Sequence, residues 1–441
     1  MRDADLCITG GTLLLMDEAE QVIHDGAVVT KGDTIVAVGG SDDINNTWRA
    51  GRTIDARNCL VMPGLVNAHT HAAMTCFRGI SDDRELMDWL NNYIFPAEAK
   101  NVDPELAYWG TLLACAEMIR SGTTTFCDMY LFEDETARAA SEAGMRCLAG
   151  EGLFDFPSPN AKTPDEGLAY TRMLLEKWAG HSLISVAVEP HSLYTCSPQL
   201  LKKAKALADE YNASLAVHLL ENPQEKTSLE EKFGMRATAF LRDIGLLDDR
   251  FFAFHCVAVD EEDIDILADH GCKVVHNPES NMKLASGIAP ITAMLERGII
   301  VGLGTDGAAS NNNLDMFQEM DTAAKLEKVG RLDPTVMPAT TVTRMATRHG
   351  AAVLGMDHLT GSIEPGEKAD IILIDMDKPH LTPLYNEYSH LVYAVNGDDV
   401  ITSIINGKIV MEERQLLTID ETAVMNRVRS IAERIRTSLA T

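Results

Sequence analysis

The chain has 441 residues, with 38 lysines and arginines against 66 aspartates and glutamates, a formal net charge of −28. Hydrophobic residues make up 46% and charged residues 24%, enough apolar material for a packed core, so a disordered chain is excluded. The acidic field disfavours nucleic acid, anionic membranes and highly phosphorylated ligands, and leaves neutral or zwitterionic small molecules unpenalised.

The first residues, MRDADLCITGGTLLLMDEAE, place acids on both sides of a short apolar run and carry no basic leader, so they do not read as a signal peptide. No uncharged apolar stretch approaches the roughly 18 residues of a membrane span. Nine cysteines, an odd number, are scattered without a CxxC pair. That usage points to reduced, buried thiols and a cytoplasmic setting rather than a disulfide framework.

Residues 1–58 read as short strands, among them LCITGGTLLLM and QVIHDGAVVTKGDTIVAVGG, punctuated by Gly-Gly and Gly-Asp turns. The same texture returns in KADIILIDMD and DDVITSIINGKIVMEERQLL, where Asn406–Gly407 is a hairpin signal. The expectation is a small β-sandwich domain built from both termini, residues 1–58 plus 362–420. The spacing of Val424, Val428, Ile431 and Ile435 predicts a closing helix over 421–441.

Residues 59–361 alternate eight apolar β runs with helical stretches such as DPELAYWGTLLACAEMIRSG. The runs are LVMPGLVNAHTH, GTTTFCDMY, MRCLAGEGLF, LISVAVEPHS, ASLAVHLLE, FFAFHCV, CKVVHNP and IIVGLGTDG. Eight such units predict a (β/α)8 TIM barrel; a doubly wound sheet is the rival, because pattern alone does not show closure.

Polar residues cluster at the C-terminal ends of these runs: His69 and His71, His191, His218, His255, His276 and Asp306. Parallel α/β architectures build function at that end of their strands. In His69-Thr70-His71 the two imidazoles are two residues apart, so a strand presents both to one side. An HxH alone is weak evidence; with His218 as a third nitrogen donor and Asp306 as an oxygen donor it becomes a constellation. Three imidazoles and a carboxylate suit one divalent metal, zinc first, with iron or manganese as alternatives, and leave a position for water. His276 is read as orienting its loop through hydrogen bonds. The GxGxxG of Gly302–Gly307 does not read as a dinucleotide loop, since it ends the last β run and holds an anionic Asp306.

Together VMPGLVNAHTH, His218 with Glu221, FHCV, HNPESNMKLASGIAP and LGTDGAASNN resemble the amidohydrolase superfamily. Within it the chain is similar, over essentially its whole length, to the methylthioadenosine/S-adenosylhomocysteine deaminases. The resemblance implies that His69, His71, His218 and Asp306 bind one metal. Glu221 matches the proton-transfer glutamate, His255 the histidine that holds the attacking water, and Asp306 takes the water's proton. Glu98 matches the carboxylate that grips the ribose hydroxyls, His191 a further substrate-binding histidine, and Trp89 an aromatic near the purine or sulfur side. The implied partner is a small adenine nucleoside, and the implied assembly a homodimer or homotetramer.

Some deaminases of this family carry an arginine after the third strand that clamps a substrate carboxylate. Here that position is Glu151, with Lys162 the nearest cation and no arginine before Arg172. The departure favours uncharged 5′-substituted adenosines over S-adenosylhomocysteine. A same-fold hydrolase of guanine, a pterin or a chlorinated triazine is the near rival, and a non-enzymatic scaffold barrel the distant one.

Overall fold

In the computed structural model, which describes residues 1–439, Pro63 and Gly64 cut the run before His69 into two strands that enter different sheets. Leu65–Thr70 pairs in parallel with Thr123–Tyr130, as a barrel strand. Cys59–Pro63, which the sequence groups with the barrel, instead pairs with Ile371–Asp375 and with Arg2–Leu14 in the sheet of the termini. Both halves are buried throughout, so hydropathy shows no boundary between them. Gly64 permits the passage, because a β-carbon there would lie 2.1 Å from the Thr124 side chain.

The terminal sheet has nine strands. Its long strand Arg2–Leu14 is shared: residues 2–9 pair with Trp48–Asp55, and Thr12 and Leu13 pair with Leu60 and Val61. The division lets the sheet fold over one apolar core, where Leu6, Ile8 and Val28 meet Ile371, Leu373 and Ile404. Asn406 and Gly407 form the expected turn between Val400–Ile405 and Lys408–Glu412, both with positive φ. This sheet is pinned to the barrel by a buried ion pair, Arg146 Nε to Asp370 Oδ2 at 2.8 Å.

The barrel strands follow chain order: Leu65–Thr70, Thr123–Tyr130, Arg146–Leu153, the interrupted pair Ile184–Val186 and Glu189–Pro190, Leu215–Leu219, Phe251–His255, Lys273–His276 and Val301–Leu303. They hydrogen-bond as two parallel groups. A Val188–Leu215 bridge joins the groups on one side, and the Asp306 N–H to the His69 carbonyl, 3.0 Å, closes the other. The interior is packed by Val66, Ala68, Cys127, Phe252, Phe254 and Val275, and Ala351 and Val353 fill in beside Val66. It is a solid core with its working face at the strand C-termini. Alternation decides who faces inward: in LAVHL, Leu215, Val217 and Leu219 join the outer core, while Ala216 packs inside and His218 follows it. The final helix, Glu421–Leu439, buries Val424, Val428, Ile431 and Ile435, in the spacing read from sequence; residues 440–441 of that expectation lie outside the described residues.

Candidate functional site

Seven strand ends contribute to one cavity at the C-terminal face of the barrel. His71, Trp89, Glu98, His191, His218, Glu221, His255 and Asp306 all line it. His69 lies at its base, wholly buried, its ring stacked on Phe254 at 3.7 Å. Every residue singled out from the sequence as a ligand, catalyst or substrate contact is therefore brought together. His276 is not: its ring is buried with no hydrogen-bond partner on either nitrogen, so it does not orient its loop as the sequence suggested. Its carbonyl, rather than its ring, makes the local link by accepting from Gly304 N–H at 3.0 Å.

The backbone at the rim is bent to aim these groups. His255 and Asp306 adopt φ of 69° and 62°, and Leu220 and Cys256 are likewise left-handed, a costly conformation for side chains with a β-carbon. Gly304 shows why the last strand carries glycines. A β-carbon there would meet His69 N at 2.7 Å, so the motif serves close approach to the first strand.

Hydrogen bonds fix which ring atom faces the centre. His71 Nδ1 donates to the Met129 carbonyl, and His218 Nδ1 donates to the His191 carbonyl at 2.8 Å. A carbonyl only accepts, so Nδ1 carries a proton in each ring and Nε2 is the nitrogen turned toward the cavity. His71 Nε2 then faces Asp306 Oδ1 at 3.2 Å, and His69 Nε2 lies 3.5 Å from the same oxygen. His255 Nδ1 pairs with Asn281 Oδ1 at 2.8 Å, and its Nε2 is 4.0 Å from Asp306 Oδ2. Donor atoms of His69, His71 and Asp306, and of His69, His218 and His255, fall in two groups, each within 4.8 Å.

Imidazole nitrogens that converge on a carboxylate, beside a buried imidazole with no hydrogen-bond partner on either nitrogen, fit a cation held among them. The electrostatics agree. Burial drives the His69 imidazole down to about 3 and holds His218 well below the usual range. Burial also opposes charge on His71, yet Asp306 lifts it to about 9. Burial likewise opposes ionisation of Asp306, and the imidazoles of His69 and His71 outweigh it, keeping the carboxyl well below its ordinary range. The spot demands positive charge, which a proton or a metal ion can supply.

The remaining acids are held differently. Burial raises Glu221, with His255 pulling the other way. Burial lifts Glu98 to about 7, against the Tyr130 hydroxyl that donates to its Oε1 at 2.7 Å. Burial lowers His191 to about 3, and its Nδ1 pairs with Thr195 Oγ1 at 3.0 Å. Sequence reasoning missed Tyr130, Asn281 and Ser280, whose hydroxyl donates to Asp306 Oδ2 at 2.7 Å. Tyr130 ends a β run and carried a strand-end signal; Asn281 and Ser280 stand inside the HNPESNMK run, but nothing in their spacing assigned them a partner.

A parallel eight-stranded barrel with a histidine and aspartate cluster at its C-terminal face is the architecture of a metal-assisted hydrolase. The amidohydrolase family model matches residues 60–410, and the chain belongs to that family. It is 65% identical to a 5-methylthioadenosine/S-adenosylhomocysteine deaminase of Syntrophus aciditrophicus, over 100% of this chain and 99% of that one. It is 44% identical to a 5′-deoxyadenosine deaminase of Methanosarcina mazei, over 98% of each. Among solved structures, an adenosine deaminase from Xanthomonas campestris with bound zinc superposes with a TM-score of 0.97 at 38% identity, covering 99% of both chains.

Proposed function

We propose that this cavity is the active site of a metal-dependent hydrolytic deaminase of adenine nucleosides bearing a 5′ substituent other than phosphate. The reaction is methylthioadenosine plus water to the 6-oxo nucleoside plus ammonia, with adenosine and S-adenosylhomocysteine as further candidates. One observation carries the reading: a single cavity, lined by His71, His218 and Asp306 with His69 buried behind them, also holds two buried acids, Glu221 and Glu98, with distinct surroundings. A ribose and a purine ring give both acids work, which a guanine, pterin or triazine substrate does not. The relatives from Syntrophus, Methanosarcina and Xanthomonas support the same choice.

His69, His71, His218 and Asp306 would hold one divalent ion, zinc in the first reading. Such an ion, when bound, supplies the Lewis acidity that makes water nucleophilic near neutral pH. Glu221, whose burial favours the protonated form, donates to purine N1 as C6 is attacked. His255, its ring braced by Asn281, orients the attacking water and stabilises the tetrahedral centre. Asp306 is ionised, accepts one of the two protons that water gives up and passes it to the departing ammonia, and the other restores the proton that Glu221 gave to N1. Glu98, oriented by Tyr130, accepts from the ribose hydroxyls, and His191 and Trp89 wall the nucleoside.

The nine cysteines are free and buried, which supports a reducing, cytoplasmic setting. No helix among the described residues is long and apolar enough to cross a membrane. A homodimer or homotetramer is the proposed assembly, and light scattering measures it.

The test is ammonia release and the adenine-to-hypoxanthine absorbance change, with zinc-loaded protein on methylthioadenosine, adenosine and guanine. Adenosine-type turnover is expected, with kcat reduced about 10²- to 10⁴-fold in Glu221→Gln at unchanged metal content. Turnover of guanine but of no adenosine overturns the proposal.

A further inference from the structure

We propose that Asp128 is a positioning residue for the Thr70–His71–Ala72 turn, one acceptor that holds the Thr70 hydroxyl before His71 and the Ala72 backbone N–H after it. The inference rests on reading His69 and His71 as metal ligands.

The chain leaves Leu65–Thr70 at His71, with φ −125° and ψ 74°, and enters the short 3-10 helix Ala72–Phe77. The first N–H groups of a helix find no acceptor within it. The residue before the helix ordinarily supplies one from its own side chain. Here that residue is His71, and its ring makes no cap. Nδ1 is spent on the Met129 carbonyl and Nε2 faces Asp306.

Asp128, on the neighbouring strand, takes over the cap. Its Oδ1 accepts from the Ala72 N–H at 2.5 Å and lies 2.6 Å from the Thr70 hydroxyl, which also reaches the Cys127 carbonyl at 2.8 Å. Thr70 and Asp128 are partners in the parallel ladder, so strand register sets this reach. The next residue, Met129, holds the His71 ring itself. Two consecutive residues of one strand thus fix the backbone and the ring of one histidine.

Asp128 is fully buried and does not line the cavity, so it acts through His71 and not on the substrate. Its Oδ2 has no hydroxyl or amide donor, and the Glu133 carboxyl, which burial keeps protonated, is the neighbour on that side. The clamp needs an oxygen acceptor rather than a charge. Asparagine retains that acceptor, and alanine strands both the Ala72 N–H and part of the Thr70 hydroxyl's bonding.

The experiment strips the full-length protein with a chelator and measures zinc affinity by competition with a chromophoric chelator. Asp128→Ala is expected to weaken zinc binding about 10- to 100-fold, the usual reach of a residue behind a ligand, with KM unchanged once zinc is saturating. Asp128→Asn is expected within about threefold of wild type. Wild-type zinc affinity in Asp128→Ala overturns the clamp, and so does an Asp128→Asn protein as weak as the alanine variant. If Asp128→Ala does not fold, Thr70→Val removes one of the two contacts; zinc binding weaker by about three- to tenfold supports the clamp, and unchanged binding overturns it. Zinc affinities in the expected order, without turnover of any adenosine, leave the clamp standing and remove the deaminase reading.

Discussion

The floor of the cavity and its outer wall differ in origin and in chemistry. The floor comes from strand ends: around a wholly buried His69, the side chains of His71, His218, His255 and Asp306 are locked by backbone carbonyls, Asn281 and Ser280, and the backbones of His255 and Asp306 are left-handed. The wall comes from segments just after the first and third strands. Leu86, Trp89, Leu90, Ile94 and Phe95 lie on the short helical turns from Leu86 to Asn101, one of which, Leu90–Ile94, is a π-helix, and Phe154 lies just beyond Leu153. The floor is rigid and polar, suited to placing charge; the wall is apolar and irregular, suited to choosing a substrate. Substitutions in the floor should therefore abolish the reaction, and substitutions in the wall should redistribute it among substrates.

The largest effect is expected at His69. Its imidazole is wholly buried and unpartnered, so His69→Ala removes a donor that nothing nearby replaces. Metal content, read by elemental analysis, should fall with activity, which should drop by about 10³-fold or more. A variant that keeps full activity without metal would place the chemistry elsewhere.

Glu98 stands where floor and wall meet, and its effect is of intermediate size. Burial lifts its carboxyl from an ordinary 4.5 to about 7. Below 4.5 both folded and unfolded chains hold the proton and no penalty exists. From there to about 7 the folded chain binds the extra proton, so stability falls as pH rises, and above 7 the loss is complete. The ceiling is about 3 kcal/mol, by the usual conversion of a pKa difference. Glu98→Gln keeps an acceptor for the Tyr130 hydroxyl and escapes the ionisation. Its stability relative to wild type should therefore grow between about pH 5 and pH 8, measured by denaturant midpoints. A difference that stays flat with pH would mean Glu98 is ionised throughout. The same variant should raise KM for ribosylated substrates about tenfold if Glu98 grips the ribose hydroxyls.

The two regions were unequally legible in the sequence. The floor was readable because metal-type residues fell repeatedly at the ends of apolar runs, and strand periodicity of two turned that position into a common face. The crossing at Pro63–Gly64 was not, since strands buried on both faces show no alternation that would reveal a change of sheet. The supports behind the floor were also hidden. Asp128 sits 56 residues from its Ala72 partner, and only the parallel register of two strands brings them together. The wall was least visible of all. Trp89 and Glu98 came from resemblance, and nothing in the spacing of Phe95 or Phe154 separates a pocket-lining aromatic from a core one.

The smallest expected effect tests the wall directly. From His191 the ring of Phe154 lies at 4.9 Å, that of Phe156 at 5.0 Å from Phe154, and that of Phe95 at 6.0 Å from Phe156. Among the described residues lining the cavity there is no lysine or arginine. Glu151 gives no help: it points away, accepting from the Glu133 N–H at 3.0 Å at the start of the helix Glu133–Ala143. Arg172 is held by Glu210 and Tyr211. On the proposed reading, a methylthio group would gain by burial against Phe154 and Phe95, which line the cavity. An amino-acid tail brings a carboxylate whose water is lost without a cation to replace it. We expect kcat/KM for S-adenosylhomocysteine about tenfold below that for methylthioadenosine, the scale of one imperfectly compensated polar contact. Phe154→Ala should narrow the gap by weakening the methylthio substrate while leaving adenosine nearly unchanged. Equal efficiency on both substrates in the wild-type enzyme would show that the tail leaves the cavity into water, and that the aromatic series closes over the ribose instead of selecting the 5′ group.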